Sequence, residues 1–256
     1  MKKSAFMVIL FLSAFIIGGC IYEFGLGNPA NFKDAAREIP INLLGTTYVG
    51  GPLVALLIAL TIILTAVTIE RTLTLRKAAG KQAIPKFFKK AVDQIRAGQI
   101  TEAIASCDAQ RGSVANVLKA ALTRYQEVTA DKSSVDPEKH LVEVQRAVEE
   151  SMMLETPLLE KNLIILSTVA SIGTMVGLLG TVIGMIRSFK ALAAGGAPDA
   201  IGLATGISEA LINTAGGLVA GIFGIVAYNF FVNKVDNFTF QIDEANYNVM
   251  QLLKSK

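Results

Sequence analysis

Two long apolar segments leave this chain few ways to fold. Lys161 and Arg187 bracket 25 residues with no charge, and residues 210–233 form a second run of 24 that carries none. At 1.5 Å of rise per residue, either run can cross the roughly 30 Å hydrocarbon core of a bilayer. Lipid offers no partner to an open strand edge, so both runs read as helices. Gly173, Gly177, Gly180 and Gly184 recur at three- and four-residue spacing in the first, with Thr174 and Thr181 beside them. Thr214, Gly217, Gly221 and Gly224 repeat the pattern in the second, and Glu209 stands at its outer end. An ionisable residue in an apolar segment is a functional-site hypothesis.

Composition narrows the chemistry. Of 256 residues, 52% are hydrophobic and only 18% charged, which is low for a soluble domain. The net charge of +3 is spread out, there is no Trp, and no Lys/Arg cluster is interleaved with aromatics, so nucleic acid is not indicated as a partner. Cys20 and Cys107 fall on different segments and form neither a disulfide framework nor a metal-ligand spacing. His140 is the only histidine, which leaves almost no material for zinc or Ser/His/Asp catalysis. No Lys-Ser/Thr follows the glycine run, so a phosphate loop is absent. The chain reads as a non-enzyme with no cofactor and no metal site, and the membrane gradient is the energy source left to it.

In chain order, Lys2 and Lys3 precede an apolar run over residues 5–17 that Gly18, Gly19 and Cys20 close. Residues 1–21 therefore read as either a signal segment or a short first membrane helix, and Cys20 admits a lipidated reading. Residues 22–49 mix Gly, Asn, Pro and charges and are expected to form a compact periplasmic loop with one short helix over residues 31–38. Residues 50–69 are an apolar span; Glu70, Arg71, Arg76, Lys77 and Lys81 follow at once and place its C-terminal end in the cytoplasm.

Residues 70–161 hold fifteen Lys/Arg and thirteen Asp/Glu and read as a cytoplasmic helical domain. Phe87, Phe88, Ala91, Val92 and Ile95 form one helical stripe, and Val114, Val117, Leu118, Ala121 and Leu122 another. Gly98 and Gly112 read as helix ends, with Thr101 near the start of a short connecting helix. After a polar break at residues 131–137, one continuous helix is expected through Pro157 into the span 162–186, with Pro157 as its weak point. Residues 187–203 then form a periplasmic link, 204–232 the last span and 233–256 a cytoplasmic helix that extends it. Arg187 and Lys190 on the link run against the positive-inside rule. The fold class is an all-α membrane protein of three core transmembrane helices plus an N-terminal hydrophobic helix, with a cytoplasmic helical domain.

Glycine stripes by themselves mean close helix packing, and Thr174, Thr181 and Thr214 can bond back to their own helix. Glu209 shifts that balance. A charged carboxylate inside a membrane costs a few kcal/mol, so it should be protonated, face water or pair with a cation, for which Arg187 or Lys190 on the link is available. Asn213, four residues on, adds a second polar group on the same face.

The run Gly177-Leu178-Leu179-Gly180-Thr181-Val182-Ile183-Gly184-Met185-Ile186, then Gly206-Ile207-Ser208-Glu209-Ala210-Leu211-Ile212-Asn213-Thr214-Ala215-Gly216-Gly217 and Ala227-Tyr228-Asn229, resembles the paired-helix signature of the MotA/TolQ/ExbB proton-channel family, and its ExbB branch most. The resemblance runs from about Gly51 to the C-terminus. It implies a homo-oligomer, a pentameric ring in the bacterial inner membrane, around two copies of an ExbD-like single-span protein whose membrane aspartate takes up the proton. It further implies that Thr181 and Thr214 line the path, and that Glu209 matches the family's membrane glutamate, with a role in conduction or assembly. Thr174, Gly177, Gly180, Gly184, Asn213, Gly217 and Gly221 would line the channel or pack the helices. Work would pass to a TonB-like protein; a TolQ-like or MotA-like stator and a non-conducting scaffold are the other readings. The departure is N-terminal, where an added hydrophobic segment and an external loop precede the first shared span.

Overall fold

The computed structural model describes residues 2–130, 137–193 and 199–254. Its helices are α1 (Lys2–Cys20), α2 (Leu43–Val49), α3 (Pro52–Ala78), α4 (Ile84–Arg96), α5 (Ile100–Gln110), α6 (Ser113–Ala130), α7 (Pro137–Glu160), α8 (Leu163–Ala193) and α9 (Ala200–Lys254). Among the described residues there is no strand, only one isolated antiparallel bridge between Phe32 and Pro40. Four helical segments among the described residues are long and apolar enough to cross a membrane. The protein is an all-α, multi-pass membrane protein.

The chain divides into two compact units, one of Met1–Ile69 with Ile164–Asn229 and the other of Glu70–Leu163 with Phe230–Lys256. In the first unit, close approaches of glycines set the order of the helices. Gly18 of α1 lies against Ala55 and Ala59 of α3, Gly50 against Ile212, Gly216 against Leu57 and Gly224 against Leu64. Rising numbers on α3 thus meet rising numbers on α9, so these two helices are parallel. Gly173 meets Ala220, Gly177 meets Gly217, and Gly184 meets Gly206 and Ala210, so α8 and α9 form an antiparallel hairpin. Asp199 caps α9 by accepting the Gly202 N–H at 2.9 Å, an ordinary N-cap bond.

The helix expected over residues 31–38 does not form. Asp34 instead accepts N–H bonds from Glu38 at 3.1 Å and Ile39 at 2.8 Å, a side-chain alternative to helical bonding, and Arg37 turns left-handed at φ 58°. The α-helix of this loop is α2, capped by Asn42, whose Oδ1 accepts the Gly45 N–H at 2.9 Å; a π-helical turn, Ile21–Leu26, and a 3-10 turn, Pro29–Asn31, precede it. A small polar and aromatic core holds the loop. Tyr22 stacks on Tyr48 at 4.6 Å between centroids, and buried Asn31 donates to the carbonyls of Gly25 and Leu26.

The second unit packs α4, α5, α6 and α7 in succession. Its buried side chains include Phe87, Ile95, Leu118, Leu122, Val144 and, from the tail of α9, Phe238 and Ile242. Gly98, at φ 79°, follows α4, whereas α5 ends on Arg111 at φ 52°. The connector before α4 is held by buried Gln110, which accepts the Gln82 N–H at 3.0 Å and donates to the Gln82 carbonyl at 2.8 Å.

The continuous helix expected through Pro157 is interrupted, though not at that proline. Pro157 lies inside α7, and the break falls at Lys161 and Asn162, where Asn162 takes φ 63°. Asparagine tolerates that conformation better than most residues do. Of the polar break at residues 131–137, residues 131–136 lie outside the described residues and Pro137 opens α7; residues 194–198 of the link also lie outside. Around the latter, α8 continues past Arg187 to Ala193 before α9 starts at Ala200.

Candidate functional site

The small residues of the hairpin lie in one seam. A Cβ on Gly177 would stand 2.9 Å from the Asn213 carbonyl oxygen and 3.0 Å from the Gly217 Cα. Gly180 is covered by the Asn213 side chain, and Gly221 by the Thr174 hydroxyl. Gly177, Gly180, Gly184 and Gly217 are therefore helix-packing positions, and Thr174 sits on the seam while also donating to Ala170 O at 3.1 Å. Such backbone approach is what small residues permit in a membrane.

Thr181 and Thr214 sit elsewhere on the hairpin. Thr181 lies seven residues beyond Thr174, and Thr214 seven before Gly221, the pair already in contact across the seam. In an antiparallel hairpin these equal steps bring both hydroxyls to the same edge. Both residues are half-buried. Thr181 donates to Leu178 O and Thr214 to Ala210 O at 2.9 Å, so the hydrogen bond of each hydroxyl stays within its own helix. The edge offers hydroxyl oxygens to whatever lies beside it.

Glu209 occupies the link end of the hairpin. Its side chain is 2% exposed, and Oε2 lies 2.6 Å from Nη1 of Arg187. That is an ionic contact and not an aligned hydrogen bond. Of the cations available on the link, the structure places Arg187 on Glu209. Asn213 is fully buried; its Nδ2 donates to Gly50 O at 2.6 Å and to Glu209 O at 3.0 Å. The first unit thus brings Glu209 and Asn213 together with Arg187 and the start of α3, and sets Thr181 and Thr214 on a separate edge.

Residues 80–244, more than half of the chain, match the model of the MotA/TolQ/ExbB proton channel family. The chain belongs to this family. It is similar to the Tol-Pal system protein TolQ of Pseudomonas aeruginosa, 33% identical over 153 residues, which are 60% of this chain and 66% of that protein. It is also similar to two proteins named biopolymer transport protein ExbB. That of Pseudomonas putida is 38% identical over 89 residues, 35% of this chain and 27% of that one. That of Aquifex aeolicus is 42% identical over 77 residues, 30% and 52%. The matched stretches thus span between about a quarter and two thirds of these relatives' own lengths. The family is one of channel subunits and not of enzymes.

Two features escaped the residue-by-residue reading. Arg71, taken from sequence only as a topology signal, is 1% exposed. It grips Glu70 through Nε at 2.7 Å and Nη2 at 2.6 Å, and reaches Leu159 O at 3.4 Å. Glu70 also accepts from Asn162 at 3.4 Å, so this cluster stands at the α7–α8 break. No spacing rule joins Glu70 to a residue 92 positions away. The second feature is Gly51, at φ 78°, whose lack of a Cβ leaves room for the Glu209 carboxylate.

Proposed function

We propose that the chain is a wall subunit of a proton-driven motor in the bacterial inner membrane, of the ExbB/TolQ kind. In this reading several copies surround an ExbD-like single-span partner, and a carboxyl of that partner passes the hydroxyl edge of Thr181 and Thr214 as it takes up and releases protons. The observation that carries the reading is the division of labour in the hairpin: the glycines are consumed by packing, while the two threonine hydroxyls bond only within their own helices. Proton movement down the membrane potential supplies about 2.3 kcal/mol per charge per 100 mV. Altered charge in the pore biases the partner's position, and a TonB-like protein carries the work outward. The charged helical unit, residues 70–161, is cytoplasmic under this topology.

A second reading, a TolQ-like role in envelope integrity, is favoured by the long match to the Tol-Pal protein. One experiment tests both. In a strain lacking the native gene, wild type, Thr181→Val and Thr214→Val are compared at equal membrane levels for growth on scarce iron-siderophore and for survival in bile salt. Loss of energised iron uptake alone supports the TonB-linked role, and loss of bile-salt resistance alone supports the Tol-like role. Wild-type behaviour of both variants in both assays sinks the proton path and leaves a non-conducting scaffold.

A further inference from the structure

Glu209 makes contacts that the proton path does not use. One carboxylate oxygen is 2.6 Å from Arg187 on α8. The other lies so close to Gly51 that a Cβ there would be 2.8 Å away. One turn along α9, Asn213 ties the same helix to the Gly50 carbonyl at 2.6 Å. Three segments therefore meet at one point: α8 through Arg187, α9 through Glu209 and Asn213, and the two residues just before α3, Gly50 and Gly51. The position favours an ion pair, because Arg187 is the first charge after the 25 uncharged residues of its span. There the stem can lie along apolar surface while the guanidinium reaches toward the interface. A proton carrier must trade its proton with the path, yet this carboxylate is 2% exposed, walled by backbone on one side and held by a cation on the other.

We propose that Arg187 is a positioning residue of the channel wall, and that Glu209 is the anionic half of a clasp fastening the link end of the α8–α9 hairpin to the start of α3, not a proton carrier. The proposal rests on the preceding reading only for the path itself, which it leaves to Thr181 and Thr214. Breaking one partner of such a pair leaves a buried charge or a vacant grip, whereas replacing both by apolar groups of similar volume is often neutral.

The test uses the complex of this chain with its cognate single-span partner, reconstituted in vesicles for proton conductance and held in detergent for thermal unfolding. Glu209→Gln and Arg187→Met should each lower the unfolding midpoint by roughly 5 °C or more, and Arg187→Lys should retain most of it. The double variant Arg187→Met/Glu209→Met should recover the midpoint and, per assembled complex, conduct within about twofold of wild type, because replacing both charges together removes the buried unpaired one. A double variant that regains its midpoint but stays silent overturns the proposal, since Glu209 would then carry protons. Single variants that melt like wild type overturn it as well, because the pair would fasten nothing. Thr181→Val is run alongside: if it conducts normally, the proton path is the reading that fails, and the midpoints still decide the clasp.

Discussion

The α8–α9 hairpin and the α4–α7 layer are held together by opposite choices of side chain. In the layer, Phe87, Ile95, Leu118 and Leu122 are buried and charges face outward. In the hairpin the seam is made of Gly173, Gly177, Gly180, Gly184 and Gly217, while Met175, Leu178, Val182, Leu218 and Ile222 point away from it. Water rewards removal of large apolar groups by about 25 cal/mol per Å². Lipid is as apolar as leucine and gives no such reward, so backbone approach and dispersion at small residues decide which faces meet. The same amino acid therefore carries different weight in the two regions.

The largest effect should come from filling the seam. At Gly177 an added side chain meets a backbone oxygen and a backbone Cα, neither of which can rotate away. Gly177→Leu is expected to abolish recovery of the assembled complex from membranes, as judged by native gel. Wild-type recovery would show that the hairpin is looser than its geometry. Next comes the leucine comparison, read by thermal unfolding of the full chain in detergent. Leu118→Ala, at a site with no exposure, should cost about 2–5 kcal/mol. Leu178→Ala, 57% exposed, should stay within about 0.5 kcal/mol of wild type. Equal losses would break the contrast between the regions.

A smaller effect on stability is expected at the hydroxyl edge. Because Thr214 bonds only to its own helix at Ala210, Thr214→Val should unfold within about 0.5 kcal/mol of wild type while losing proton conductance in vesicles. A stability loss matching the conductance loss would make Thr214 a packing residue.

Much of this was legible because the membrane imposes long periods on the sequence. The uncharged stretch before Arg187 and the three- and four-residue glycine spacing lead to α8 and to its seam without any long-range information, and the apolar stripe from Phe87 to Ile95 does the same for α4. What could not be read were contacts between distant residues and backbone choices made by one side chain. Arg187 and Lys190 were equivalent candidates for Glu209 until helix phase was known, since α8 continues through both. Pro157 was the weak point of a helix expected to be continuous, because proline removes a backbone donor. A single missing bond is tolerated there, and the left-handed Asn162, with Glu70 as its side-chain partner, interrupts the helix instead. Over residues 31–38 the charged and apolar spacing suits a helix, but Asp34 offers the backbone a competing acceptor.

The smallest effect should arise in that loop, where local hydrogen bonds to Asp34 shape the turn beside the small aromatic core of Tyr22 and Tyr48. The N–H groups of Glu38 and then Ile39, both pointed at the Asp34 carboxylate, keep its carboxyl below the ordinary value. A group whose folded value is depressed stabilises the native loop fully above its unfolded value, near about 3.9, and that contribution is lost as pH falls through the lower folded value. Amide exchange at Glu38 and Ile39 in wild type should therefore be slow at neutral pH and lose protection only below about pH 4, after correction for the intrinsic pH dependence of exchange. Asp34→Ala should exchange faster at neutral pH and show no further acid step, with the hairpin's protection unchanged in both proteins. If Asp34→Ala were as protected as wild type at neutral pH, the turn would be set by the Phe32–Pro40 bridge and the aromatic contacts of Tyr48 with Tyr22 and Phe32, and loop and layer would share a single rule of burial.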